Sequence, residues 1–220
     1  LFSFKLISIK QSIRLVKISL PYHLDIVSGL MKNSFQIIIL GIFFNAQIVG
    51  LVSTFRTLFY FLPIRVWGVI NKVIFYEIIK LYSNKKYALL KKNYFDLIKV
   101  ISMSGMLFIL ISIFLGKFVY NLWINFSYNF DYFLLILIVF DVCIFALSHF
   151  MSIIARAINK FLDISLFTIF INLVILLVAY GLFINQQSYL FLFILNLIGS
   201  IIILIFNSLK SRKFLNKLKS

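Results

Sequence analysis

Residues 164–184 read ISLFTIFINLVILLVAYGLFI, a run with no charged side chain. About 20 helical residues cross a hydrocarbon layer roughly 30 Å thick. Backbone polar groups find no water there and must be satisfied within the segment, which a helix does. Barrel strands would be half as long and would alternate in polarity. The same reading along the chain gives six spanning helices, at 22–44, 48–76, 97–115, 132–155, 162–184 and 189–208. The expected fold class is all-α, a polytopic membrane protein. Residues 1–20 are expected to be a cytoplasmic amphipathic linker, 21–208 a six-helix transmembrane lobe, and 209–220 a basic cytoplasmic tail. The second run is long for one span and should extend past the lipid on its basic side. Its Pro63 should kink it by removing a backbone donor.

Composition agrees with this reading. Of 220 residues, 63% are hydrophobic, and the mean hydropathy is +1.07. Soluble domains are nearer half apolar, so this chain needs lipid as a second solvent. Lys and Arg number 22 against 6 Asp and Glu, a net charge of +16. A basic balance can signal nucleic acid. Here the bases fall mostly in short gaps between apolar runs, with no basic face on a soluble domain, so no nucleic-acid partner is expected. The one cysteine, Cys143, sits in an apolar run and reads as a small buried residue. The chain begins at Leu1 without the cleavage signature of a signal peptide, and is expected to be part of a longer protein.

The gaps orient the helices. Lys5, Lys10, Arg14 and Lys17 precede the first span, and Lys80, Lys85, Lys86, Lys91, Lys92 and Lys99 follow the second. Arg156 and Lys160 follow the fourth, and Lys210, Arg212, Lys213, Lys217 and Lys219 follow the sixth. The alternate gaps hold only Lys117. The positive-inside rule puts both ends in the cytoplasm. Tyr120, Trp123, Tyr128, Tyr132, Tyr180 and Tyr189 sit near outer ends, and Tyr22, Tyr82, Tyr87 and Tyr94 near inner ones, at aromatic-belt depth. In residues 1–20, Lys10, Arg14 and Lys17 share one helical face, which suits a helix lying on an anionic leaflet.

Charges inside a span cost about 2.5–3.5 kcal/mol each on insertion scales, so they point to a polar pathway. In the first span Asp25, Gly29, Lys32 and Gln36 fall within about 60° of one another, with Asn33 and Ser34 beside them. In the second, Arg65 and Lys72 share a face, and Arg56 lies about 180° from Arg65. Lys32, Arg56 and Arg65 read as a cationic cavity wall, because nearby acids are too few to neutralise them. Ion pairing such as Asp25 with Lys32, or snorkelling of Lys72, is the structural alternative. For Lys72 and Glu77 the two readings balance. The fourth span holds Asp141, Ser148, His149 and Ser152, which suit proton relay or interhelical hydrogen bonding equally. Asp131 and Asp163, at span ends, are expected to be solvated. No phosphate-binding loop, zinc motif or nucleophile elbow occurs, so no cofactor, metal or enzymatic activity is expected.

Residues 40–92, LGIFFNAQIVGLVSTFRTLFYFLPIRVWGVINKVIFYEIIKLYSNKKYALLKK, resemble the Wzx-type O-antigen and polysaccharide flippases of the multidrug/oligosaccharidyl-lipid/polysaccharide exporter superfamily. The likeness rests on the turn ending Val49-Gly50-Leu51, the long helix running to Leu81-Tyr82, and the basic amphipathic segment 85–99. Ser19-Leu20-Pro21 before the first span fits as well. So does Ala157-Ile158-Asn159-Lys160 ahead of a span containing Asn172. Tyr76 stands where many relatives place a proline, and the chain is rich in Phe, Ile, Asn and Lys. The resemblance implies a twelve-span, two-lobed transporter of the bacterial inner membrane, of which this chain is the linker and second lobe. It implies alternating access driven by an ion gradient, with the first lobe as partner. The implied substrate is an undecaprenyl-pyrophosphate-linked oligosaccharide for O-antigen, lipopolysaccharide or capsule biosynthesis. Arg65, Lys32, Arg56 and Lys72, in that order, are the candidates to meet its diphosphate. Asp25, Asp141 and His149 are candidates for ion coupling or pairing. A multidrug exporter would favour acids in the lumen. A peptidoglycan-precursor flippase fits the cations too, and a polymerase would show a large outer loop.

Overall fold

The computed structural model describes residues 9–124 and 130–218, without the side chains of 9–11 and 14. No strand occurs among the described residues, and six helices are long and apolar enough to cross a membrane. The chain is an all-α, multi-pass membrane protein. We label residues 9–43 α1, Ala46–Ser83 α2, Tyr87–Ile124 α3, Tyr132–Met151 α4, the short Ile153–Ala157 α5, Leu162–Ile184 α6 and Leu190–Lys217 α7. The ends of the helices rich in Lys and Arg are called basic, the others neutral.

Several helices run beyond the spans read from hydropathy. The first stays helical from Ile9 through Pro21 to Leu30, so no backbone break separates residues 9–20 from the span. Residues 1–8 of the expected linker, and the side chains of Lys10 and Arg14, lie outside the described residues, as does Tyr128. The basic segment after α2 is the opening of α3, a helix of 38 residues, or about 57 Å. Expected as one span to 155, α4 ends instead at Met151, where Ser152 turns its hydroxyl onto the His149 carbonyl at 2.8 Å and α5 follows. The expected tail is helical as far as Lys217, with Ser211 and Leu215 buried.

Two π turns interrupt the first two helices, at Met31–Phe35 in α1 and Thr57–Phe61 in α2. The second lies just before Pro63, which has no N–H for the preceding turn and fits where helical bonding is already loosened. Three helix ends close alike. The N–H of Lys86 bonds the Leu81 carbonyl and that of Lys85 the Tyr82 carbonyl. Lys160 and Asn159 repeat this on Ala155 and Arg156, and Gln187 and Gln186 on Leu182 and Phe183. These are Schellman closures, with Lys85, Asn159 and Gln186 in the left-handed region at φ 57°, 55° and 55°. Asn45 caps α2 by accepting from the Ile48 N–H at 3.0 Å. Asp131 does the same for α4 through Leu134, and also accepts from the Tyr189 hydroxyl at 2.8 Å.

The centre of the helix bundle is α4. Its most apolar window is 56% buried, against 22–39% in the other spans. It packs along α7 and α3, and the π turn of α2 rests on it, while α1 lies against α6. The outward face of α3, with Met103, Met106, Leu107 and Phe114 exposed, is apolar, as a lipid contact requires.

Candidate functional site

Polar side chains form a column through the middle of this bundle. Helical rise of about 1.5 Å per residue places its rungs by distance from the neutral ends. At about 10 Å, Gln36 of α1 and Asn196 of α7 exchange reciprocal amide hydrogen bonds of 2.6 and 3.0 Å. At about 14–17 Å, the Lys32 ammonium donates to Asp141 Oδ1 of α4 at 2.9 Å and to Ser200 Oγ of α7 at 2.7 Å. Ser200 donates on to the same carboxylate oxygen at 2.5 Å. At about 18–26 Å, Asn172 donates to Ser28 Oγ and Asn207 to Ser148 Oγ, each at 2.9 Å. At about 28 Å, Asp25 pairs with Arg156 and accepts from Ser165 at 2.8 Å. Each rung joins two or three helices, as buried polar groups without water must.

Arg56 uses the π turn of α1. Its guanidinium donates to the Asn33 carbonyl at 3.1 Å, the Lys32 carbonyl at 3.2 Å and Asn33 Oδ1 at 2.9 Å. A π turn breaks the regular i to i−4 ladder and frees carbonyls, and an Arg fork can bridge several acceptors at once. The Tyr60 and Phe61 rings lie 5.6 and 5.4 Å from that guanidinium, and the Phe145 ring 4.6 Å from the Lys32 ammonium.

Toward the basic end the column borders a cavity of about 290 Å³. Asp25, Gly29 and Lys32 of α1, Trp67, Gly68 and Asn71 of α2, and His149 of α4 are among its walls. A Cβ added at Gly29 or Gly68 would meet nothing within 4 Å, so open space lies before both. The stretches 9–30 of α1 and 62–83 of α2 both line the cavity yet scarcely touch each other. Above it, the Lys32–Asp141–Ser200 and Gln36–Asn196 rungs close the bundle.

These contacts rearrange the sequence expectations. Lys32 and Arg56 are buried, at 5% and 4% exposure, and engaged within the bundle; Arg65 and Lys72 are exposed. The four cations therefore do not wall one lumen. Lys32 pairs with Asp141 rather than Asp25, because Asp25 lies two turns nearer the basic end, where Arg156 meets it. Among the described residues no carboxylate lies within ion-pair distance of Arg65 or Lys72. Glu77 is exposed and accepts from Asn93 of α3 at 2.7 Å. Asp163 is also exposed but pairs with Lys210 at 2.6 Å. Asp141 and Ser148 of α4 and Ser152, just past its end, are all buried. Sequence reading missed the matching stripe on α7, where Asn196, Ser200, Asn207 and Ser211 recur at i, i+4, i+11 and i+15. It also missed Arg156 as an interior residue. Among the described residues no cluster of His, Cys, Asp or Glu could hold a metal ion.

In comparisons with known proteins, no family model matches the chain, and no curated protein or solved structure matches it.

Proposed function

We propose that the chain is one lobe of a flippase that carries an undecaprenyl-pyrophosphate-linked oligosaccharide across the bacterial inner membrane, with the basic ends of its helices in the cytoplasm. The observation that carries this reading is the outward face of α2. Arg65 and Lys72 stand exposed on it, seven residues apart, without a carboxylate partner among the described residues. Around them the face is apolar, with Val66, Val69, Val73 and Tyr76 exposed. Neither cation has a counter-charge inside the described residues, so each is free to meet a phosphate from outside the bundle. A second lobe with an aqueous lumen between the two would suit them.

Arg65 lies about 28 Å from the neutral end of α2, the height of the inner-leaflet headgroups. A lipid-linked diphosphate waits at that level, and Arg65 can grip it as a two-pronged fork while Lys72 supplies a point charge. Lys32 and Arg56 act differently, holding α1 to α4, α7 and α2 so that the lobe moves as a body during alternating access. An exporter of organic cations would need unpaired acids, whereas Asp25 and Asp141 are both paired.

The test is complementation of a strain lacking its O-antigen flippase, with the repeat unit matched. Wild type is expected to restore surface polysaccharide. Arg65→Gln with Lys72→Gln, at normal expression, is expected to lose it at least about tenfold, on the scale of a charged hydrogen bond to phosphate. Full restoration by that double variant would remove the proposed phosphate grip, and failure of wild type would remove the flippase reading.

A further inference from the structure

The cavity inside the lobe carries free hydrogen-bonding capacity. Tyr60 Oη, Asn71 Oδ1 and Asn207 Oδ1 are buried without a hydrogen-bond partner, and all three residues line it. Tyr60 and Asn207 are each 3% exposed. Buried polar groups are nearly always satisfied, so such groups meeting at one cavity call for an occupant. The orientation of Asn207 is set by its own contacts. Its amide nitrogen donates to Ser148 Oγ at 2.9 Å and to the Ser148 carbonyl at 3.2 Å, which leaves the oxygen as the free pole.

The chemistry of the walls narrows the occupant. The Asn207 oxygen seeks a donor, Asn71 presents an amide, and the Tyr60 phenol can both donate and accept. The cations bordering the cavity are spent, Lys32 on Asp141 and Ser200, Arg156 on Asp25 and Ser152, so an anion finds little to hold it. The acids are spent on those same bases, so a cation likewise finds no free counter-charge. A neutral group rich in hydroxyls remains. Aromatic rings form part of the remaining wall, Trp67, fixed by its indole N–H on Ser104 Oγ at 3.2 Å, together with Tyr60 and Phe145, beside aliphatic Ile64 and Ile203. Ring faces carry negative charge density and meet the C–H face of a sugar favourably. The volume of about 290 Å³ stands at the lower end of ligand pockets, roughly 300–1,000 Å³, enough for one ring and too little for a diphosphate-linked chain.

We infer that this cavity is a subsite for a single sugar ring, with Asn207 accepting a hydroxyl proton, the Asn71 amide and Tyr60 as further polar contacts, and Trp67 as the aromatic wall. The inference rests on the flippase reading for the source of that ring, a residue of the lipid-linked oligosaccharide, and gives the lobe a means to sense which sugar is carried.

The test needs no transport. The whole chain is placed in nanodiscs with Trp123→Phe, so that Trp67 is its one remaining indole. Free glucose, galactose, N-acetylglucosamine and N-acetylgalactosamine are titrated in turn, with inorganic phosphate and tetramethylammonium as anion and cation probes. A saturable change in Trp67 fluorescence is expected with at least one sugar, at a Kd on the order of millimolar. It should weaken about tenfold in Asn71→Leu and in Asn207→Leu, and less in Tyr60→Phe, which removes only a hydroxyl. Circular dichroism checks that each variant is folded, and Lys117→Gln, at an exposed position of α3, should leave the response unchanged. The inference is overturned if no sugar gives a saturable response, if phosphate or tetramethylammonium gives it instead, or if the variants bind as wild type. Sugar binding without lipid-linked transport would sink the flippase reading alone. Transport without sugar binding would sink only the subsite.

Discussion

Lys32 and Asp141 illustrate what spacing along a chain can and cannot say. A lysine and an aspartate inside apolar runs are both legible in the sequence. Their pairing across 109 residues is not, because it depends on which helices pack together. Helical spacing separates Arg56 from Arg65 by half a turn, and the fold buries the first and exposes the second. A buried pair of this kind is held by mutual need. Lys32→Met is expected to cost about 3–5 kcal/mol in thermal unfolding in detergent, because it leaves Asp141 charged and buried. Adding Asp141→Asn should recover most of that loss. Strictly additive losses would mean that the two do not act as a pair. Arg56→Lys is expected to destabilise by about 1–3 kcal/mol, since a single ammonium cannot reach all the acceptors that the guanidinium spans.

At the scale of elements, the six spans were legible because lipid imposes a length and polarity that any sequence must respect. Their extensions were not. Hydropathy stops at the lipid boundary, while α3 and α7 continue as helices through charged residues such as Lys91 and Lys213. The π turns were also hidden: the one in α1 meets Arg56 of α2, a contact that spacing does not show, and Pro63 predicts a kink in α2 and not its form. Deleting Ser34 should return residues 31–35 to regular α-helix with the flanking residues still in register, and so withdraw the freed carbonyls that Arg56 meets. Loss of thermal stability with helical content retained is the expected result. An unchanged melting point would mean that the π turn does not support the Arg56 contacts. The Schellman ends make a prediction of opposite sign. Lys85→Gly and Gln186→Gly relieve a left-handed residue and are each expected to stabilise by about 0.5–1 kcal/mol in the same assay.

On the scale of the whole molecule, the described helices form an apolar shell around a polar column, with the column closed toward the neutral ends and opening into a cavity toward the basic ones. The stripe on α1 was visible in the sequence, and a stripe at i, i+4, i+11 and i+15 on α7 could have been found by the same rule. The cavity itself could not, since it exists only where stretches 9–30 and 62–83 diverge. The most direct measurement is cysteine labelling in a Cys143→Ala background, using a charged, membrane-impermeant thiol reagent applied to one side at a time. Gly29→Cys, Gly68→Cys and Asn71→Cys should each react from the side of the basic ends and stay unreactive from the other, because the Lys32–Asp141–Ser200 and Gln36–Asn196 rungs seal the bundle above them. Reaction from the neutral side, or from neither side, would contradict the account.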